Sequence, residues 1–76
     1  MKQLAEYIVK SLVDNPDKVQ LSEMESEKTT ILEIKVDESD VGKIVGKQGR
    51  IIKSIRIILQ AAAAKKGKRV VVEMLN

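Results

Sequence analysis

The sequence predicts an α+β fold. Three helices should pack on one face of a three-stranded mixed sheet, in the order helix, strand, strand, helix, helix, strand. Three observations lead there. Apolar residues recur at helical spacing near the N-terminus and again after Gly49. β-Branched residues alternate over residues 29–36 and 68–75. Helical sequence separates those two strands, and a helical crossover brings strands together in parallel with right-handed chirality.

Leu4, Ala5, Ile8, Val9, Leu12 and Val13 define an amphipathic helix over residues 2–13. Glu6 and Lys10 form a favourable i,i+4 pair on its other face. Asp14-Asn15-Pro16 ends it, because proline cannot continue a helix and restricts the residue before it. Residues 18–25, KVQLSEME, read as a strand, and Ser26-Glu27-Lys28 as a turn. Residues 29–36, TTILEIKV, put Leu32, Ile34 and Val36 on one face and complete an antiparallel hairpin. Asp37 to Asp40 supply N-capping side chains and negative charge for a short helix over residues 39–45. A long helix starts after Gly49, with Ile51, Ile55, Ile58 and Ala62 as one stripe and Ile52, Leu59 and Ala63 as its neighbour. Lys65 and Lys66 suit the negative end of its dipole, and Gly67 is a natural C-cap. Residues 68–75, KRVVVEML, close the sheet with Val70, Val72 and Met74 on one face.

A chain of 76 residues should form a single domain, with little room for an enclosed cavity. Aromatic content is 1%, the single Tyr7, so the core must be aliphatic. Cysteine and histidine are absent, which removes disulfides, most metal-ligand clusters, the usual general base and the thiol nucleophile. The serines have no histidine to activate them, so the chain reads as a non-enzyme without a cofactor. The longest apolar-rich run, IRIILQAAAA, is interrupted by Arg56 and Gln60 and is too short to span a membrane, so a cytoplasmic protein is expected.

The net charge of +3 is unevenly divided. Residues 1–40 hold five lysines and ten acids, and residues 41–76 hold nine cations and one acid, Glu73. A basic half of this kind is a plausible footprint for a polyanion. Within it lies KIVGKQGRIIKSI, where Gly46 and Gly49 bracket Lys47 and Gln48 in the most apolar part of the chain. A nucleotide-binding P-loop does not fit: Gly42 and Gly46 are separated by only three residues and Lys47 is followed by Gln48 rather than Ser or Thr. A tight helix–helix turn would explain the glycines alone. A polynucleotide loop explains glycines and cations together, because backbone N–H groups at a helix start favour anions and glycine lets a phosphodiester approach. Lys47 and Arg50 add charge at the loop, and Lys43 and Lys53 draw the strand in. Val45, Ile52, Ile34 and Val36 are the candidate lining of an apolar groove for unstacked bases.

The segment VGKIVGKQGRIIKSI resembles the core of KH domains, whose hallmark is V-I-G-x-x-G-x-x-I, here Ile44-Val45-Gly46-Lys47-Gln48-Gly49-Arg50-Ile51-Ile52. A bare GxxG is a weak signal, but GxxG between two apolar helices inside strand–helix–helix–strand is a strong one. The helix and strand preceding that core are similar to the type II, prokaryotic arrangement. The resemblance covers essentially the whole chain and is nearest to short stand-alone bacterial KH proteins of the KhpA type. It implies a clamp on the backbone of single-stranded RNA at Gly46, Lys47, Gln48 and Gly49. Single-stranded DNA shares every contact except those to the 2′-OH. It also implies a homodimer, or a heterodimer with a larger KH protein of the Jag type, and roles in RNA chaperoning, post-transcriptional regulation or cell shape. The competing reading is a protein-interaction module whose KH fold serves mainly for dimerisation, with RNA binding secondary. Ile57, with Ala61 and Ala64, forms a flat patch suited to such a partner, and Tyr7 suits a half-wet rim position. Lys65, Lys66, Lys68 and Arg69 form a second basic cluster, distant in sequence from the glycines.

Overall fold

The computed structural model describes residues 1–76. Helix α1 spans Lys2–Leu12, strand β1 Gln20–Glu25, strand β2 Thr29–Lys35, helix α2 Val41–Val45, helix α3 Arg50–Ala64 and strand β3 Arg69–Met74. The order of elements is the expected one. The β1–β2 hairpin is antiparallel, with Leu21 opposite Ile34 and Glu23 opposite Leu32. The β2–β3 pairing is parallel, with Leu32 opposite Val72 and Ile34 opposite Met74. Strand order β1-β2-β3 leaves β2 central.

Period-2 alternation sorts the sheet into two faces. Leu32, Ile34, Val70 and Val72 point into a continuous core with Ala5, Val9 and Val13 from the α1 end, Ile44 from α2, and Ile52, Ile55, Leu59 and Ala63 from α3. All three helices therefore cover the same face. The other face carries Met24, Ile31 and Val71 in one cross-strand row, with Met24 and Val71 exposed.

The structure refines the sequence pattern at several points. The first strand begins at Gln20 rather than residue 18, because Pro16–Lys18 form a 3-10 turn with proline at its start, where a missing N–H costs nothing. The short helix divides into a 3-10 turn, Glu38–Asp40, followed by α2. Asp37 caps that turn by accepting from the Ser39 N–H at 3.1 Å. On α3 the buried stripe is Ile52, Ile55, Leu59 and Ala63, whereas Ile51 and Ile58 are exposed. Both stripes fit a 3.6-residue period, and only the direction of the sheet decides between them. The expected Glu6–Lys10 pair is formed, at 3.5 Å.

Candidate nucleic-acid interface

The glycines sit between α2 and α3 in a connection bent by three positive-φ residues. Gly46 has φ 76° and ψ 175°, a region open essentially to glycine alone. Gln48 has φ 58° and Gly49 φ 73°, both left-handed. The bend is closed by Gly46 N–H donating to the Gly42 carbonyl at 2.8 Å and Gly49 N–H donating to the Gly46 carbonyl at 3.1 Å. Lys47 and Gln48 are thereby held at the tip, both exposed.

The two glycines differ in what their missing side chains avoid. A Cβ on Gly46 would lie 2.5 Å from Ile51 Cγ1 and 2.9 Å from Ile51 Cβ. Gly46 thus lets the first turn of α3 fold back onto the loop, and its bare face points inward. A Cβ on Gly49 would meet only Ile52 Cγ2 at 4.0 Å. Of the two, Gly49 is the glycine beside open space, so a phosphate's close approach is argued there and not at Gly46.

Cations gather at this end of α2 without acidic partners. Lys47, Arg50 and Lys53 are exposed and form no ion pair, and Arg50 Nη2 donates only to Gln48 Oε1 at 3.3 Å. Lys43 behaves otherwise. Its Nζ lies 3.2 Å from Asp14 Oδ2 and 3.5 Å from Asp40 Oδ1. The hydrogen bond and charge of Asp14, with Asp40 behind, hold its ammonium above the ordinary lysine range. Lys43, expected to draw in a strand, is thus already paired with two carboxylates, one exposed and one buried.

Asp40 is the centre of that network and was not singled out as such in the sequence. It is wholly buried. Burial pushes its carboxyl up, but hydrogen bonds from the Asn15 side chain and the N–H groups of Asp14 and Asn15, with the Lys43 charge, hold it below the usual carboxylate range. The bonds measure 3.0 Å from Asn15 Nδ2, 3.1 Å from Asp14 N and 3.0 Å from Asn15 N. Asp40 therefore anchors the end of α1 to the start of α2. The sequence signal was indirect: a turn ending in proline leaves N–H groups needing an acceptor, but not where the acceptor lies.

The apolar lining needs a second correction. Ile34 is 0% and Val36 3% exposed. Ile34 is on the central strand, with neighbours on both sides and helices above; Val36 follows directly after it, and its carbonyl accepts from Asn76 Nδ2 at 2.8 Å. Neither offers surface to a base. Ile52 is also buried, and Val45 is half-buried. The strand that adjoins α3 with an open edge is β3. Arg56 marks the junction, donating from Nε and Nη2 to the Val72 carbonyl at 3.3 Å each.

No helix is long and apolar enough to cross a membrane. No solved structure matches the chain. The family model described as KhpA/KhpB, KH domain matches residues 2–74. The RNA-binding protein KhpA of Clostridium acetobutylicum is 60% identical over 75 residues, covering 99% of this chain and 100% of that protein. The protein of the same name from Borreliella burgdorferi is 55% identical over 74 residues, 97% of this chain and 90% of its own. That of Aquifex aeolicus is 51% identical over 76 residues, 100% and 96% respectively. A GxxG bend between α2 and α3, a βααβ core preceded by a helix and a strand, and relatives of matching length agree: the chain belongs to the KhpA/KhpB family of KH domains.

Proposed function

We propose that residues 1–76 act as one KH unit that binds single-stranded RNA, with the loop from Gly46 to Gly49 holding the phosphate backbone. The observation that supports this most is the placement of Lys47, Arg50 and Lys53, three exposed cations without acidic partners, around a backbone bend with open space at Gly49. The names of the relatives, RNA-binding protein KhpA, point the same way. Affinity is modest and sequence selectivity low, because a clamp of four nucleotides carries little information and Tyr7 is the only ring available for stacking. Three phosphate contacts give a log–log salt slope of roughly −2 on single strands. A cytoplasmic RNA chaperone or post-transcriptional regulator is the role this chemistry suits.

Fluorescence anisotropy with a labelled single-stranded RNA tests the reading, with a DNA of the same sequence as a second arm. The Lys47→Asp/Gln48→Asp variant should fold, since aspartate tolerates the left-handed conformation of Gln48, and should lose binding. Equal binding by variant and wild type would move the RNA off the loop.

A second reading rests on α3. Its outward side carries Ile57, 60% exposed, and Ile58, 49% exposed, beside exposed Ala61 and Ala64. This face suits a second copy of the chain or a larger KH protein of the Jag type. Sedimentation of wild type against Ile57→Lys separates the cases, a dimer lost in the variant being the expected result.

A further inference from the structure

The face of the sheet turned away from the helices has nothing over it, and the strand register fixes its pattern. Its middle is the apolar row of Met24, Ile31 and Val71, in which Met24 is 52% and Val71 42% exposed. Two residues further along, Glu33 of β2 stands opposite Glu73 of β3. Two residues the other way, Thr29 stands opposite Arg69. Alternation turns all of these side chains to the same outward face. Glu33, Glu73 and Arg69 have no ion-pair partner within the chain. Like charges directly opposite each other destabilise a sheet. Protection of a strand edge explains charges on β3, but Glu33 is on the central strand, where there is no edge to protect.

The spacing of these rows makes the face complementary to itself. Two residues of strand span about 6.6 Å, so the acidic row and the Arg69 row lie equally far on either side of the apolar row. Consider a second copy turned over about a two-fold axis that runs along the apolar row, across the strands. Met24, Ile31 and Val71 then meet their own counterparts. Arg69 comes over Glu73 of the second copy, with Glu33 of that copy one strand away, and Glu73 comes over its Arg69. The other in-plane axis, along the strands, sets Glu33 on Glu33 and Lys35 on Lys35, so charge selects the first. Packed sheets cross at about 30°, which shifts the charged rows sideways by about 3 Å, within the reach of an arginine.

We infer that this face is a self-association surface on which two copies of the chain stack sheet to sheet, centred on Ile31 and flanked by reciprocal Arg69–Glu73 ion pairs. The contact is isologous, so it closes on two copies. It uses neither the glycine loop nor the outward side of α3, and it stands independently of both readings above. Three strands of about six residues, roughly 4.8 Å apart, cover about 300 Å² on each copy, far less than a permanent dimer buries. The association is therefore weak, and its exposed ion pairs make it sensitive to salt.

Sedimentation without nucleic acid, from about 10 μM to about 1 mM, tests it, a range suited to a weak complex. The Ile57→Lys background removes any association through α3. A dimer should grow with concentration and recede with added salt. Val71→Lys, at an exposed position, should abolish it. Arg69→Glu should raise the dissociation constant severalfold. Arg69→Glu/Glu73→Arg should restore it, because each reversed side chain again meets its opposite on the second copy. All three positions are exposed, so melting temperatures should stay near that of the background. A monomer across the whole range, a dimer indifferent to Val71→Lys, or a double variant no better than Arg69→Glu would overturn the surface.

Discussion

Lys43, in the middle of α2, and Lys47, just past its end in the glycine bend, lie four positions apart, and the fold uses them in opposite ways. At the α1 side, Lys43 is held between Asp14 and Asp40, and the Asp40 carboxylate accepts three hydrogen bonds. At the loop side, Lys47 stands exposed with Arg50 and Lys53, and no acid is within pairing distance of any of them. The first end satisfies every charge internally and fixes the position of α2. The second leaves its charges for an external anion. A charge count over residues 41–76 treats these lysines alike, and only the fold distinguishes an anchor from a binding group.

The largest effect expected from breaking this arrangement is at the loop glycine that packs. Gly46→Ala must adopt a glycine-only conformation and drive its Cβ against Ile51, at a cost of about 3 kcal/mol. Gly49→Ala meets open space and pays only for the left-handed backbone, about 1 kcal/mol. Thermal unfolding of the two variants should separate them by about 10 °C, at about 4–8 °C per kcal/mol for a domain of this size. Equal melting points would mean that the contact with Ile51 does not constrain the loop.

The anchor comes next. Asp40→Ala leaves the N–H groups of Asp14 and Asn15 without their acceptor, and the melting temperature should fall by several degrees. The acid limb of stability should change with it. Because the folded carboxyl titrates below its ordinary value of 3.8, its contribution is complete above that pH and is lost as pH falls through the folded value. The variant should therefore approach wild-type stability at the lowest pH. Lys43 has the opposite sign: its contribution is complete below 10.5 and is lost as pH rises through the raised folded value. A pH series of chemical unfolding checks both, and a constant gap between Asp40→Ala and wild type down to the lowest pH would remove Asp40 from the account.

A subtler contrast is between the two lysines in binding. Lys47→Ala should reduce the salt slope for RNA by about 0.7 with little change in stability. Lys43→Ala should do the reverse. Matching slopes for the two would erase the distinction between the ends of α2. The smallest effect is expected at Gly42, where a Cβ meets nothing within 4 Å and φ is not positive. Gly42→Ala should stabilise the chain by about 0.4–1 kcal/mol without altering binding, read by denaturant unfolding.

The order of elements, the parallel closure of the sheet and the placement of the GxxG bend were legible because periodicity and turn residues act locally. What sequence did not reveal depends on long-range order. Ile34 and Val36 alternate correctly, but alternation names a face without saying what covers it, and both are buried under the helices, Ile34 on the central strand and Val36 just past its end. Ile51 and Ile52 satisfy the helical period equally, and the sheet selects Ile52. Asp40 looked like a cap because caps are short-range, whereas its acceptor role spans 25 and 26 residues of chain. The pairing of Lys43 is hidden for the same reason: Asp14 is distant in sequence and adjacent in space.

The hold of Arg56 on Val72 has a consequence for the chain in a crowded solution. Strand β3 carries Val70-Val71-Val72 at a sheet edge, and three consecutive β-branched residues on an unpaired edge form a template for another strand. In a parallel pair alternate residues turn their backbone groups outward, and the Val72 carbonyl is one of these. The Arg56 guanidinium occupies it, and Lys68 and Arg69 place charge at the strand's start. These cations act as gatekeepers against runaway edge-to-edge growth. Basic side chains beside this strand thus keep copies of the chain from aggregating, whether or not nucleic acid is bound.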